Sequence, residues 1–218
     1  MGVLGVAIVG LAITLAGCAV NLGGVTGSGN VKTETRQVSG FTKIQFSGVG
    51  ALNITQADKE SLSVSAEDNL LPLLASTVSG DTLTLGVKPG NNIRPTRPIT
   101  YTLTLKHLAS VHLSGAGSIH ATGIQTSALD IDLSGAGQMT IDGSAQSQTV
   151  LLSGVGSYSA RGLQTASTQV TISGAGSATV SASQTLTATV SGAGSVTYYG
   201  LPQVTKSISG AGSVNQGK

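Results

Sequence analysis

Apolar residues fall in fixed columns around a tetrapeptide, Ser-Gly-Ala/Val-Gly, that occurs seven times in the chain. The copies start at Ser47, Ser114, Ser134, Ser153, Ser173, Ser191 and Ser209. One residue before the motif serine stand Phe46, Leu113, Leu133, Leu152, Ile172, Val190 and Ile208. Three before it stand Ile44, Val111, Ile131, Val150, Val170, Ala188 and Lys206. Five after it stand Leu52, Ile119, Met139, Tyr158, Ala178, Val196 and Val214, and seven after it Ile54, Ala121, Ile141, Ala160, Val180, Tyr198 and Gln216. The positions between are mostly Thr, Ser, Asp, His, Asn and Gln. Apolar residues two apart mean a β-strand with one face buried. Each repeat therefore reads as strand, glycine corner, strand and polar turn.

The last six copies lie 20, 19, 20, 18 and 18 residues apart. A period near twenty marks a solenoid, in which each coil buries its apolar side only by stacking on its neighbours. Strands of successive coils then pair in parallel at about 4.8 Å. A hairpin array is the rival, but identical motifs recurring in one phase favour parallel coils. The glycines Gly48, Gly50, Gly115, Gly117, Gly135, Gly137, Gly154, Gly156, Gly174, Gly176, Gly192, Gly194, Gly210 and Gly212 are expected as structural turn residues with φ > 0. The middle Ala or Val is expected to point inward, and the serine hydroxyl to bond a backbone group in the turn. Residues 38–218 read as one all-β solenoid domain, irregular over 38–108 and regular over 109–218. In the first part 42–46, 52–55, 61–65, 82–87 and 99–105 look like strands. A short capping segment is expected around Pro72, and a Gly/Pro/Asn loop over 87–98.

Four segments of the first part follow the order of a known family. They are Phe41-Thr42-Lys43-Ile44, Ser47-Gly48-Val49-Gly50, Ala66-Glu67-Asp68-Asn69-Leu70-Leu71 and Thr82-Leu83-Thr84-Leu85. With the Gly-Ala/Val-Gly turns they resemble the bacterial putative auto-transporter adhesin head, or GIN, domain, whose function is unknown. The resemblance spans about 38–215. It implies a right-handed parallel β-helix exported to the cell envelope, with no catalytic residues to carry over.

Composition supports a folded, thin core. Charged residues are 9% and aromatics 3% of the 218, while Gly numbers 31 and Val, Leu and Ile fill the columns. A disordered chain carries more charge and fewer such residues. A formal charge of +2, with no basic stripe among aromatics, excludes nucleic acid as a partner. Lys88, Arg94, Arg97 and Lys106 form the densest basic group, in a solvated Pro-rich loop.

Residues 1–17 read as a signal segment, apolar and uncharged from Gly2 to Gly17 and shorter than a membrane span. Leu15-Ala16-Gly17-Cys18 resembles a bacterial lipobox. That resemblance implies cleavage before Cys18 and lipidation of its sulfur, although no Lys or Arg precedes the apolar run. The alternative is a buried or spanning apolar segment. Cys18 is the only cysteine, so no intrachain disulfide forms. Residues 18–37, rich in Gly, Ser and Thr at first, read as a flexible tether. The implied location is the outer membrane, facing the periplasm or the surface.

Candidate chemistry is sparse. His112 and Asp132 share an outward column and should stack in adjacent coils. His120 lies across the corner, near Ser114. A Ser/His/Asp triad and a metal site are both weighed and set aside, because the serine recurs in every coil while His and Asp do not. No catalytic residue, metal or cofactor is expected. Asp130, Asp132 and Asp142 raise a polysaccharide-active β-helix enzyme as the alternative, since glycoside hydrolysis uses paired carboxylates. Asp130 and Asp132 would project about 7 Å apart, but long loop walls and aromatic platforms are lacking. Gly-Ala-Gly does not read as nucleotide binding, as no helix follows it. The C-terminal coil, with only Pro202 and Lys206 to protect its edge and with Tyr198 and Tyr199 nearby, is the expected surface for self-association or for an envelope partner.

Overall fold

The computed structural model describes residues 23–218, so the signal segment and Cys18 lie outside the described residues. Four long strands, Ser118–Leu133, Gln138–Leu152, Ser157–Ile172 and Ser177–Val190, each wind once around a shared core. Ser110–Leu113 leads into the first of them. The last coil is divided into Ser195–Tyr199 and Gln203–Ile208, and Ser213–Gln216 begins another. Every neighbouring pair in this series is parallel. The arrangement is a β-solenoid.

The register explains why the columns were visible. Leu113, Leu133, Leu152, Ile172, Val190 and Ile208 stand opposite one another in sequence. All but Ile208 are fully buried. Differences in coil length are absorbed elsewhere. Register shifts fall between Ala121 and Ile124, Thr140 and Gly143, Ala160 and Gln164, and Thr165 and Ser167. None falls at the Ser-Gly-Ala/Val-Gly corner. A third stretch of each coil also lines the core, through Leu129, Gln148, Thr168 and Leu186 in register. Two of these four are polar, and both are buried. Gln148 donates to the Tyr158 hydroxyl, and Thr168 joins Thr165, whose hydroxyl reaches the Ser181 carbonyl. Burial raises the Tyr158 phenol beyond the normal range, and Gln148 only partly offsets this.

The N-terminal section is built differently. Lys43–Phe46 and Ala51–Gln56 make a coil parallel to Ser110–Leu113 and Ser118–Leu133. On its other side lie Thr82–Val87 and Thr100–Leu105, again parallel. Thus the first coil in sequence is not the first in space. Beyond it the pairing turns antiparallel: Val31–Arg36 on Ser61–Glu67, Ser61–Glu67 on Thr100–Leu105, and Leu74–Ser79 on Thr82–Val87. The hairpin mode weighed for the whole chain is therefore used here only. A 3-10 turn, Leu71–Leu73, places Leu71 in the core at the expected capping segment. Phe46 and Tyr101 meet edge to face, with centroids 5.4 Å apart.

Two expectations need correction. Residues 31–36 are not a flexible tether but a strand, and Val25–Thr26 pairs with Ile93–Arg94 inside the expected loop. The pattern concealed the strand because its side chains are exposed at nearly every position. Backbone pairing, not apolar alternation, holds it. Among the described residues no helix is long and apolar enough to cross a membrane.

Candidate functional site

The corners carry the hydrogen-bond ladder straight through the bend. The Ser134 N–H donates to Leu113 O at 3.0 Å and the Gln138 N–H to Gly117 O at 3.2 Å. The same two bonds recur at Ser153 and Ser157, Ser173 and Ser177, and Ser191 and Ser195. Glycine is needed here, but for another reason than left-handed backbone. Only Gly50 (φ +110°) and Gly210 (φ +118°) among the corner glycines have such a φ. At Gly115, Gly135, Gly154, Gly174 and Gly192 a Cβ would come closer than 3.0 Å to the carbonyl oxygen of the matching glycine one coil earlier. At Gly137 and Gly156 it would also strike Leu113 and Leu133. Coil stacking itself excludes a side chain. The middle residue points outward, not inward: Val155 is 67% exposed. The serine hydroxyls bond weakly at best, as from Ser191 to Ile172 O at 3.4 Å. The serine backbone N–H does the work expected of the hydroxyl.

A second site lies in the N-terminal section, on three consecutive polar residues. Glu67 is fully buried. Its carboxylate accepts hydrogen bonds from the Gly29 N–H at 2.7 Å, the Thr96 N–H at 2.9 Å, the Thr96 hydroxyl at 2.5 Å and the Arg97 N–H at 3.3 Å. Burial pushes this carboxyl up. The bonds from Thr96, Gly29 and Arg97 outweigh it and hold the pKa at about 2, below the ordinary 4.5. Asp68 accepts the Ser28 hydroxyl at 2.6 Å, which keeps it low, and it faces Lys32 at 3.6 Å. Asn69 takes the Ser28 N–H at 2.9 Å and donates to Thr26 O at 2.8 Å. Gly27 runs so close to the Glu67 carboxylate that no Cβ fits. The three side chains thus hold the entering chain, and Glu67 also ties it to the 96–97 loop. The only signal in the sequence was the Ala66-to-Leu71 motif itself.

The residues weighed for chemistry are placed as follows. His112 and Asp132 stand in register, with Nδ1 3.0 Å from Oδ2. Asp132 Oδ1 is buried without a hydrogen-bond partner among the described residues. His120 stands across the corner, between Asn53 and Thr140 in register. Asp130 lies between Ser110 and Thr149, and Asp142 packs under Gly162. Among the described residues no three His, Cys, Asp or Glu side chains are grouped to hold a metal.

Comparison with known proteins agrees with this architecture. A putative adhesin from Bacteroides fragilis superposes with a TM-score of 0.75 at 24% identity, over 88% of this chain and all of that one. A putative adhesin from Parabacteroides distasonis gives 0.57 at 22%, over 89% and 100%. A protein from the same species described as a putative lipid binding protein gives 0.58 at 24%, over 89% and 99%. At these identities the likeness is one of fold. No curated protein matches the chain. The family model described as "Putative auto-transporter adhesin, head GIN domain" matches residues 40–202, and the chain belongs to that family.

Proposed function

We propose that this protein is exported, anchored by lipid on Cys18, and acts at the cell envelope in a structural or adhesin-like binding role without catalysis. The family supports an envelope or extracellular setting. The observation that carries the binding reading is the outer face of the stack. Ser157 and Ser159, Ser177 and Thr179, and Ser195 and Thr197 face outward in register across three coils. This is a uniform row of hydroxyls, suited to contact along a surface. The enzyme alternative would need Asp130 and Asp132 in a groove. Asp132 is instead engaged by His112, and neither lines the cavities of about 630 and 540 Å³. The strand Gln203–Ile208 pairs on one side only among the described residues and is exposed throughout. We take it as the edge through which two copies associate.

The test is fractionation of cells carrying the full chain or Cys18→Ala, with labelled fatty acid. Label and membrane residence should both be lost in the variant, because anchoring rests on acyl chains. Equal label on both proteins defeats the anchor. Sedimentation of the variant should show a dimer, and a strict monomer defeats the edge contact.

A further inference from the structure

The two ends of the stack are finished differently. Strand order puts Val31–Arg36 and Leu74–Ser79 at one end, and Gln203–Ile208 and Ser213–Gln216 at the other. At the first end Lys32, Glu34 and Arg36 stand opposite Ala66, Val64 and Leu62, all buried, so three charged residues occupy the core-side column of the edge strand. Arg36 is held there by Leu71 O at 3.0 Å and Glu34 at 2.7 Å. Charges on the core side of an edge strand block further pairing.

At the second end the core-side column is Val204, Lys206 and Ile208, in register with Leu186, Ala188 and Val190. Those three are buried, whereas Val204 is 37% and Ile208 42% exposed. Leu201 beside them is also exposed. Core and ladder both stop here uncovered, since Ser177–Val190 is the one strand partner of Gln203–Ile208 among the described residues. The other last strand is better closed, with Val214 buried and Gln216 Nε2 donating to Gly200 O at 2.8 Å. A second copy can supply both a strand and an apolar column. In antiparallel pairing about a two-fold axis, opposed residues share a face, so the core column stays continuous only where a residue opposes itself. Two such registers use most of the strand. One, over 204–208, sets Lys206 against Lys206, like charge on like charge. The other, over 203–207, sets Thr205 against Thr205 and Lys206 against Val204, whose surface takes the aliphatic stem of the lysine.

We propose that the protein is a homophilic bridge: copies anchored on opposing surfaces pair tail to tail through Gln203–Ile208, antiparallel, with Thr205 on the two-fold axis. The charged ends, and the anchors that precede them in the chain, then point away from each other, one toward each surface. Head-to-tail pairing would instead bring the open strand to the end closed by Lys32, Glu34 and Arg36, and it would not terminate. This assignment deepens the adhesin-like reading. It rests on the lipid anchor for its two surfaces and on the edge contact for its joint.

Vesicles of phosphatidylcholine and phosphatidylglycerol, loaded with the lipidated full chain in two dye colours, test it. Loaded vesicles should cluster with each other and not with bare ones. Val204→Lys, which sets a lysine against Lys206 of the second copy, should cut clustering about tenfold or more. Val204→Glu, which sets a carboxylate there, should keep it. Val204 is exposed, so the far-ultraviolet spectrum should be unchanged in both. In the soluble Cys18→Ala chain, Thr205→Cys should cross-link two copies on oxidation, because opposed Cα atoms at about 4.5–5.5 Å lie within disulfide reach. Thr77→Cys, on the edge Leu74–Ser79, should not. Clustering with bare vesicles overturns the proposal. So does equal clustering by the two Val204 variants, or cross-linking through Thr77→Cys and not Thr205→Cys. A Thr205 cross-link without vesicle clustering overturns the bridge and leaves the edge contact standing. A chain that takes up no fatty acid removes anchor and bridge together, and the cross-link then reads the edge contact alone.

Discussion

The coil stack and the N-terminal section use the same strands but are held together by different means. From Ser110 onward, each coil repeats one backbone arrangement, and glycine carbonyls lie directly against glycine Cα positions of the next coil. Few side chains there make specific polar bonds. Before 105 the pairing changes direction three times, and individual side chains hold the pieces: Glu67 on Gly29, Thr96 and Arg97, Asn69 on Thr26, and Arg36 on Leu71. Repetition fixes one region and particular bonds fix the other. A change in the stack therefore disturbs two neighbouring coils, while a change in the first section releases a local connection.

The most damaging way to test that contrast is Gly135→Val. Its side chain would meet Gly115 O and the Ser114 backbone, neither of which can yield without shifting a coil. Loss of about 3 kcal/mol or more is expected by chemical denaturation, at the upper end for a point change. Ala136→Ser, one residue on and exposed, should stay within about 0.5 kcal/mol. Similar midpoints for the two would mean the corner is not a packed contact.

Glu67→Gln should act more locally. The neutral amide loses acceptor strength toward Gly29, Thr96 and Arg97, and amide exchange at those N–H groups should accelerate while that of the coils from 138 to 190 does not. The wild type makes the same test through pH. The folded pKa lies at about 2, below the ordinary 4.5. A depressed folded pKa gives stability that is complete above 4.5 and is lost as pH falls toward 2. Protection of Gly29 and Thr96 should decline in that window first. Uniform loss over the whole molecule would merge the two regions into one unit.

Gly80→Ala sharpens the contrast with the smallest effect. Gly80 has φ +58°, and a Cβ there would have no neighbour within 4 Å among the described residues. Its need for glycine is conformational, not steric, and alanine should cost about 1 kcal/mol. A cost equal to that of Gly135→Val would show that the two kinds of glycine are not distinct.

How much of this was legible follows from the same division. The columns at Leu113, Val111, Ile119 and Ala121 were read correctly because stacked coils keep one register at the corner. Ile124, Leu129, Leu163 and Leu186 escaped notice because the register shifts after Ala121, Thr140 and Ala160 move that face out of phase. The corner glycines were identified but misinterpreted. A repeated Gly looks the same in sequence whether φ or a neighbouring carbonyl demands it. Val31–Arg36 could not be told from a tether, since its partner is the distant strand Ser61–Glu67 and all its side chains but Arg36 are exposed. Glu67 showed only as part of the Ala66-to-Leu71 segment and Arg36 gave no signal, because each acts through a single set of bonds that no repeat announces.

The constancy of the corner and the variability of the opposite turn bear on how such a chain can lengthen over evolutionary time. A duplicated coil would present the same carbonyls and the same glycines on both faces, so its corner would enter the stack unchanged, and only coil-specific pairs such as Gln148 with Tyr158 would have to adjust. Inserted residues are tolerated where 18-, 19- and 20-residue coils already coexist, beyond Ala121, Thr140 and Ala160. Growth in height and growth in girth are thus decoupled. Height is set by the glycine column and girth by the turns away from it.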